Sequence, residues 1–408
     1  YRPMMAQLSL RLLAVMVITL GLGACVNQSI KSTSVPSVKG ASTTVEEHLL
    51  LDVGIAVFDP GLEDYDEDER VYPEVRKAEA RYMPNLLSQA MQDSGAWGAV
   101  RVVPDSTQIT DLLVQGEILY SDGEELQLQI TATDSRGYTW LDKKYTGKAS
   151  GYAYKMTTRS TYDPFQAVYN TIANDLLQLQ EELREEDREN VRLVTELLFA
   201  RSFSPDAFDG YLGQNRKKNY VVLRLPAEED PMLERVRSIR ERDQLFIDTL
   251  QEYYITFDAQ MDGPYQEWRK LSYQEAVALR ELRAESTRNL IAGGVAILAG
   301  IAGASSGDSA TTRTAGQVAI IGGGYLLKSG LEKRNEAQIH VEALEELGMS
   351  LEAEITPQVI ELDDRTVMLS GNVEDQYAQW RKVLEELYRA EVGALEMPED
   401  AVGTTDTL

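Results

Sequence analysis

Few residues in this chain are suited to chemistry. Among 408 residues there is one cysteine, Cys25, and two histidines, His48 and His340, far apart in sequence. That leaves little material for a histidine metal site or a Ser-His-Asp triad. In "EDYDEDER", Asp64, Asp66 and Asp68 have the spacing of calcium-loop ligands. The sixth position, however, is Glu69 where the tight turn needs glycine, and the twelfth is Val75 where a bidentate Glu is needed. The run therefore reads as a solvated loop. "IGGGY" has no lysine after it, and no dinucleotide fingerprint or nucleophile elbow occurs. Carboxylates are plentiful, but none has an interpretable catalytic spacing. No catalytic residue, metal or cofactor is assigned, and the expectation is a protein that is not an enzyme.

Cys25 closes the segment "MMAQLSLRLLAVMVITLGLGAC". Arg11 precedes an apolar run from Leu12 to Leu22, too short for an ordinary membrane span and laid out like a signal peptide. Translation is expected to begin at Met4 or Met5. Leu22-Gly23-Ala24-Cys25 resembles the lipobox of bacterial lipoproteins. The resemblance implies cleavage before Cys25, a diacylglyceryl group on its sulfur and acylation of the new amino terminus. Several acyl chains hold stably where one holds marginally. Val26, standing where an Asp implies retention in the inner membrane, implies the outer membrane, with the chain mostly in the periplasm. No second cysteine exists for a disulfide, so folding rests on packing.

Composition agrees with an ordinary globular protein, 43% hydrophobic and 26% charged. A net charge of −26 disfavours nucleic acid and anionic lipid as partners for the surface as a whole.

The elements along the chain read as α+β. Residues 1–24 are the signal peptide. Residues 25–48, rich in Ser, Thr and Val, read as a flexible lipidated tether. Leu49, Leu51, Val53, Ile55 and Val57 alternate as a strand ending at Asp59-Pro60-Gly61. Pro73 opens a helix to about Gln92, and "WGAVRVVP" is a second strand. Leu112–Tyr120 is a third strand, closing at Ser121-Asp122-Gly123. Leu126, Leu128, Ile130 and Ala132 alternate with polar residues in a fourth, and "YTWLDKKYTGKAS" is a fifth. Asp163-Pro164 reads as the cap and first position of a closing helix. The order β-α-β-β-β-β-α over 49–187 resembles the periplasmic domain of curli-secretion channel lipoproteins and the amino-terminal domain of TolB. "VGIAVFDPG", "RYMPNLLSQAMQDSGAWGAVRVVP", "DLLVQGEI" and "LQITATDSRGYTW" carry that resemblance. No pair of long alternating apolar strands matches the hairpins that those channels insert into the membrane.

Residues 188–288 are expected to be mostly helical. Phe246, Leu250, Tyr253 and Phe257 form one seam, Met261-Asp262-Gly263-Pro264 breaks it, and Trp268, Leu271, Ala278 and Leu282 form the next. This region reads either as bundle core or as a partner-binding stalk.

Residues 289–330 are apolar and rich in glycine. Ala292, Ala296, Gly300 and Ala304 recur every fourth position, as do Ala315, Ala319 and Gly323. Such spacing lets two helix backbones approach closely. The stretch is expected to be a helical hairpin and resembles the glycine-zipper segments of other envelope lipoproteins. It is either associated with the membrane or buried, as a hairpin within the protein or in an oligomer interface. Residues 331–395 are read as a helix and a small strand-strand-helix unit, with Leu351, Ala353 and Ile355 in one strand and "TVMLSGNV" in the other. Its last helix is lined by Tyr377, Trp380, Leu384 and Leu387, and "VMLSGNV" followed by a helix weakly resembles envelope BON-type modules. Residues 396–408 are a disordered tail.

Three functions compete on these grounds. One is a homo-oligomeric component of envelope assembly or export. Another is a scaffold lipoprotein holding other envelope proteins. The third is a hydrolase whose acid residues the sequence does not reveal.

Overall fold

The computed structural model describes residues 28–31, 35–42, 45–63, 71–155, 162–227, 229–303, scattered positions from 339 to 349, 358–361 and 366–393. The fold is α+β. A six-stranded mixed sheet has the order β1-β6-β5-β4-β2-β3. Its strands are β1 Gln28–Lys31, β2 Val53–Ala56, β3 Val100–Val103, β4 Leu112–Ser121, β5 Glu125–Asp134 and β6 Thr139–Lys148. β1 is parallel to β6, β4–β5–β6 is an antiparallel meander, and β2 is parallel to both β4 and β3.

The amphipathic pattern of β5 decides which face is which. Leu126, Leu128, Ile130 and Ala132 are fully buried, whereas Gln127, Gln129 and Thr131 between them are half-buried on the opposite face. The buried face is covered by α1 (Pro73–Gln92) and α2 (Gln166–Glu181). β2, buried at all four positions, has cover on both sides. Its second side meets a separate core made by α3 (Glu185–Phe203), α5 (Pro231–Gly303) and α6 (Val373–Gly393). Between α3 and α5 lie the short helix α4 (Pro205–Phe208) and the hairpin of β7 (Leu212–Gln214) with β8 (Tyr220–Val222). β9 (Gln358–Glu361) pairs with β10 (Thr366–Leu369) before α6 (Val373–Gly393).

A proline inside α1 serves the sheet. Pro84 has no N–H to give the Ala80 carbonyl four residues back. That carbonyl instead accepts the Phe58 N–H at 2.9 Å, just beyond β2. The defect thus becomes a tie between helix and strand.

Four expectations need correction. The Ser/Thr-rich segment 25–48 is not a free tether in its described part, because β1 extends the sheet. Asn170 and Asn174 on α2 also hold the backbone at Pro36, Ser37 and Lys39, at 2.8 to 3.0 Å. Residues 49–57 are a strand only over Val53–Ala56, since Leu49 ends a short 3-10 turn. Pro164 does not open α2, which starts at Gln166; Asp163 accepts the Phe165 N–H at 2.8 Å ahead of that start and has a second role described below. The break expected at Gly263-Pro264 does not occur, because α5 runs unbroken from Pro231 to Gly303.

That continuity has a local cause. A residue before proline is pushed out of helical geometry mainly through its Cβ, which Gly263 lacks. The carbonyl freed by Pro264 belongs to exposed Gln260, where water can satisfy it. Phe257, Met261, Tyr265 and Trp268 are buried on both sides of the proline, so packing outweighs the lost bond. The final helix agrees with the sequence reading: Tyr377, Trp380 and Leu384 are buried, and Leu387 packs at the margin. The expected strand at Leu351, Ala353 and Ile355 lies outside the described residues.

Candidate functional site

The long helix α5 joins both cores and then leaves the body. Leu233, Val236, Ile239, Phe246, Leu250 and Tyr254 fill the core shared with α3 and α6. Phe257, Met261, Tyr265 and Trp268 fill the one under α1 and α2. Beyond Tyr273 the described positions become exposed, as at Ala278, Arg280 and Glu281. At 1.5 Å per residue, the stretch from Ser272 to Gly303 adds about 46 Å.

The point of departure is locked by charge. Arg269 is fully buried, and its Nη1 donates to both carboxylate oxygens of Asp163, at 3.0 and 2.9 Å. Gln266 donates to the same carboxylate at 2.9 Å. The guanidinium also lies 4.0 Å from the Tyr265 ring centroid and 4.8 Å from that of Phe165. Burial alone pulls the Arg269 pKa down, but Asp163 and the surrounding phenol oxygens raise it well above its ordinary value. The pair is thus a buried ion pair, and removing either member strands the other. Nearby, buried Glu79 accepts from Ser121 at 2.6 Å and from Tyr265.

Gly123, at the tip of the β4–β5 turn, completes the lock. A Cβ there would sit 1.9 Å from the Arg269 carbonyl oxygen and 2.3 Å from the Tyr273 nitrogen. Its N–H donates to Ser272 Oγ at 3.1 Å, and its carbonyl accepts from the Tyr154 hydroxyl. Glycine is required here for close approach of the turn to the helix.

Two carboxylates on α5 are perturbed. Asp258 is pushed up to about 8, by burial first and then by Asp262 and Asp163, against the hydrogen bond it accepts from Asn85. Asp243 is pushed up to about 6 by burial, which outweighs Arg381 and the Tyr377 hydroxyl. Asp243 and Tyr377 line a cleft of about 350 Å³ between the β3–β4 loop, α5 and α6, together with Gln108, Phe199 and Arg381. The Tyr377 hydroxyl is 3.2 Å from Asp243 and 3.0 Å from Gln108 Oε1. Such a cleft has polar groups to orient a ligand, and its wall also carries the Thr107 hydroxyl donating to Asp105 at 2.6 Å.

Among the described residues, His48, Glu185 and Glu189 bring three potential ligand atoms within 4.8 Å of one another. All three are exposed; Glu185 and Glu189 sit in the first turns of α3, where the helix dipole opposes a cation, and His48 in the 3-10 turn Glu47–Leu49, so no metal is assigned.

The residues singled out by sequence are only partly placed. Leu22, Gly23, Ala24 and Cys25 lie outside the described residues, as do Ala304, Ala315, Ala319 and Gly323. Ala292, Ala296 and Gly300 lie on the backbone of α5. No helix among the described residues is long and apolar enough to cross a membrane. Sequence reasoning missed Arg269 and read Asp163 only as a helix cap. The available signal was a charged residue on a buried stripe, since Arg269 follows Phe257, Met261 and Tyr265 at intervals of four. No protein-family model matches this chain, and no curated protein matches its sequence.

Proposed function

We propose that the chain is an acylated outer-membrane lipoprotein facing the periplasm, and a homo-oligomeric component of envelope assembly or export rather than an enzyme. The observation that carries this reading is the path of α5. A body that buries an ion pair to fix the base of a helix, and lets its far end run on about 46 Å, presents that end to something outside itself. The far end holds Ala292, Ala296 and Gly300 at four-residue spacing, a face on which two copies can bring their backbones together. Leu22-Gly23-Ala24-Cys25 supports the acyl anchor and the location.

The test is the mass of the detergent-solubilised protein by light scattering. An oligomer is expected for the native chain and a smaller species for Gly300→Leu, whose side chain forces the helices apart. A monomer in both removes the assembly reading. A Cys25→Ser chain is expected to leave the outer-membrane fraction. The scaffold reading has one observation of its own, the cleft at Asp243 and Tyr377. It gains if crosslinked envelopes yield a partner that Tyr377→Phe loses while the protein remains monomeric.

A further inference from the structure

Two buried carboxylates meet α5, and only one of them has a bonded cation. Asp163 holds Arg269 at 2.9 Å. Asp243, 4% exposed, has Arg381 of α6 at 3.8 Å, beyond hydrogen-bond reach. The Arg381 guanidinium lies instead over the rings of Phe203 and Phe199, 4.6 and 5.5 Å from their centroids. We propose that this difference makes α6 a pH-sensitive latch. It seats on the body over a protonated Asp243, loosens as that carboxyl ionises, and then bares the apolar faces it shares with α5.

The hydrogen bonds favour the proton. The Tyr377 hydroxyl of α6 is 3.2 and 3.3 Å from the two Asp243 oxygens, and 3.0 Å from Gln108 Oε1 on the β3–β4 loop. A hydroxyl has one proton, so with Asp243 ionised it faces two acceptors and can satisfy only one. A proton on Asp243 resolves this. The carboxyl then donates to the Tyr377 oxygen, and the Tyr377 hydroxyl donates to Gln108. One chain of bonds ties α5, α6 and the loop together. The ionised form keeps a charge out of water with a single hydroxyl bonded to it, which is costly.

Neighbouring charges do not reverse the balance. Arg381 and Arg240, the latter one turn before Asp243 on α5, favour the ionised form. Around the cleft α6 adds Glu374, Lys382 and Glu385, and the β3–β4 loop adds Asp105. Arg81 of α1 reaches Glu374 rather than Asp243. The adjoining wall adds Asp52 and Arg101, and Arg101 is paired with Asp248. From α3 the cleft receives uncharged Phe199. Among these further groups acids outnumber cations, which favours the proton. Burial is the largest influence and pushes Asp243 up to about 6, against the two arginines and the Tyr377 hydroxyl.

The sign of the effect is fixed by that shift. With α6 seated, Asp243 keeps its proton up to about pH 6, whereas with α6 lifted the carboxyl meets water and titrates at its ordinary, lower value. Seating is therefore strongest below that ordinary value and weakens as pH rises through about 6. Lifting uncovers apolar surface. Trp380 of α6 stacks on Phe246 of α5 with centroids 5.2 Å apart, and Tyr377 and Leu384 lie in the same core.

Hydrogen exchange of α6 in the full chain tests the latch, with each rate divided by its intrinsic value at that pH. In the native protein, amides of residues 376–388 are expected to open roughly tenfold more at about pH 8 than at about pH 5. Asp243→Asn keeps the shape without the titration and is expected to abolish this step. Arg381→Gln is expected to move the step to higher pH, because a cation that favours the charged form is gone. Amides of β5 in the same samples report global unfolding. Exchange of α6 only together with β5 overturns the latch. So does a native protein with no step, a step that Asp243→Asn retains, or one that Arg381→Gln leaves unmoved.

Discussion

The two edges of the sheet are finished in different ways. At β3, the side-chain amide of Gln251 substitutes for a missing strand: the Val102 N–H donates to its Oε1 and its Nε2 donates to the Val102 carbonyl, both at 2.9 Å. Arg101 pairs with Asp248 beside it, and α5 covers the rest. At the other edge β1 is short, outermost and followed by residues laid along α2. An exposed strand edge invites pairing with another chain unless it is covered, charged or kept short. β3 is covered and β1 is short and basic. One edge therefore holds the helix that reaches outward, and the other ends in a short strand.

Substitutions can break this contrast, and the largest effect belongs to the helix side. Arg269→Ala leaves Asp163 buried without its partner and is expected to cost about 3–5 kcal/mol in denaturant unfolding. Arg269→Met together with Asp163→Leu is expected to cost far less, since the charge pair rather than the volume is then removed cleanly.

A second effect is pH-dependent. The folded protein keeps a proton on Asp258 up to about pH 8, whereas the unfolded chain releases it near the ordinary carboxylate value. The stability from this group is therefore full below about pH 4 and falls as pH rises to about 8. Comparing thermal unfolding of native protein and Asp258→Asn across that range is expected to show a difference that widens by several kcal/mol as pH rises. Parallel curves would mean that Asp258 is solvated and the base of α5 is wetter than described.

Smaller still, Gln251→Ala opens the β3 edge and leaves the backbone of Val102 without its partner. A loss of about 1–3 kcal/mol is expected in chemical unfolding. Lys144→Gln on β6 is expected to change stability by less than about 0.5 kcal/mol in the same measurement.

What the sequence revealed depended on whether the signal was local. The alternation in β5, the limits of α1 and the seam of α6 all arise from which face meets the core, and each was legible. β1 was not, because Gln28–Lys31 has no apolar alternation and owes its strand form to the edge offered by β6. Gly263-Pro264 looked like a break because propensity was weighed without the burial of Met261 and Tyr265 that overrides it. Arg269 and Asp163 are far apart in the chain, and no spacing rule joins them. Gly123 looked like turn chemistry, whereas its reason is the backbone of α5 passing against it.

Amide hydrogen exchange along α5 in the intact protein tests the central claim most directly. If the helix is rooted in the body, amides from Phe257 to Ser272 exchange only with global unfolding, at the same free energy as those of β4 and β5. Amides beyond Ala278 follow the assembly state instead. Exchange of Phe257–Ser272 within seconds, while β4 and β5 remain protected, would contradict the account.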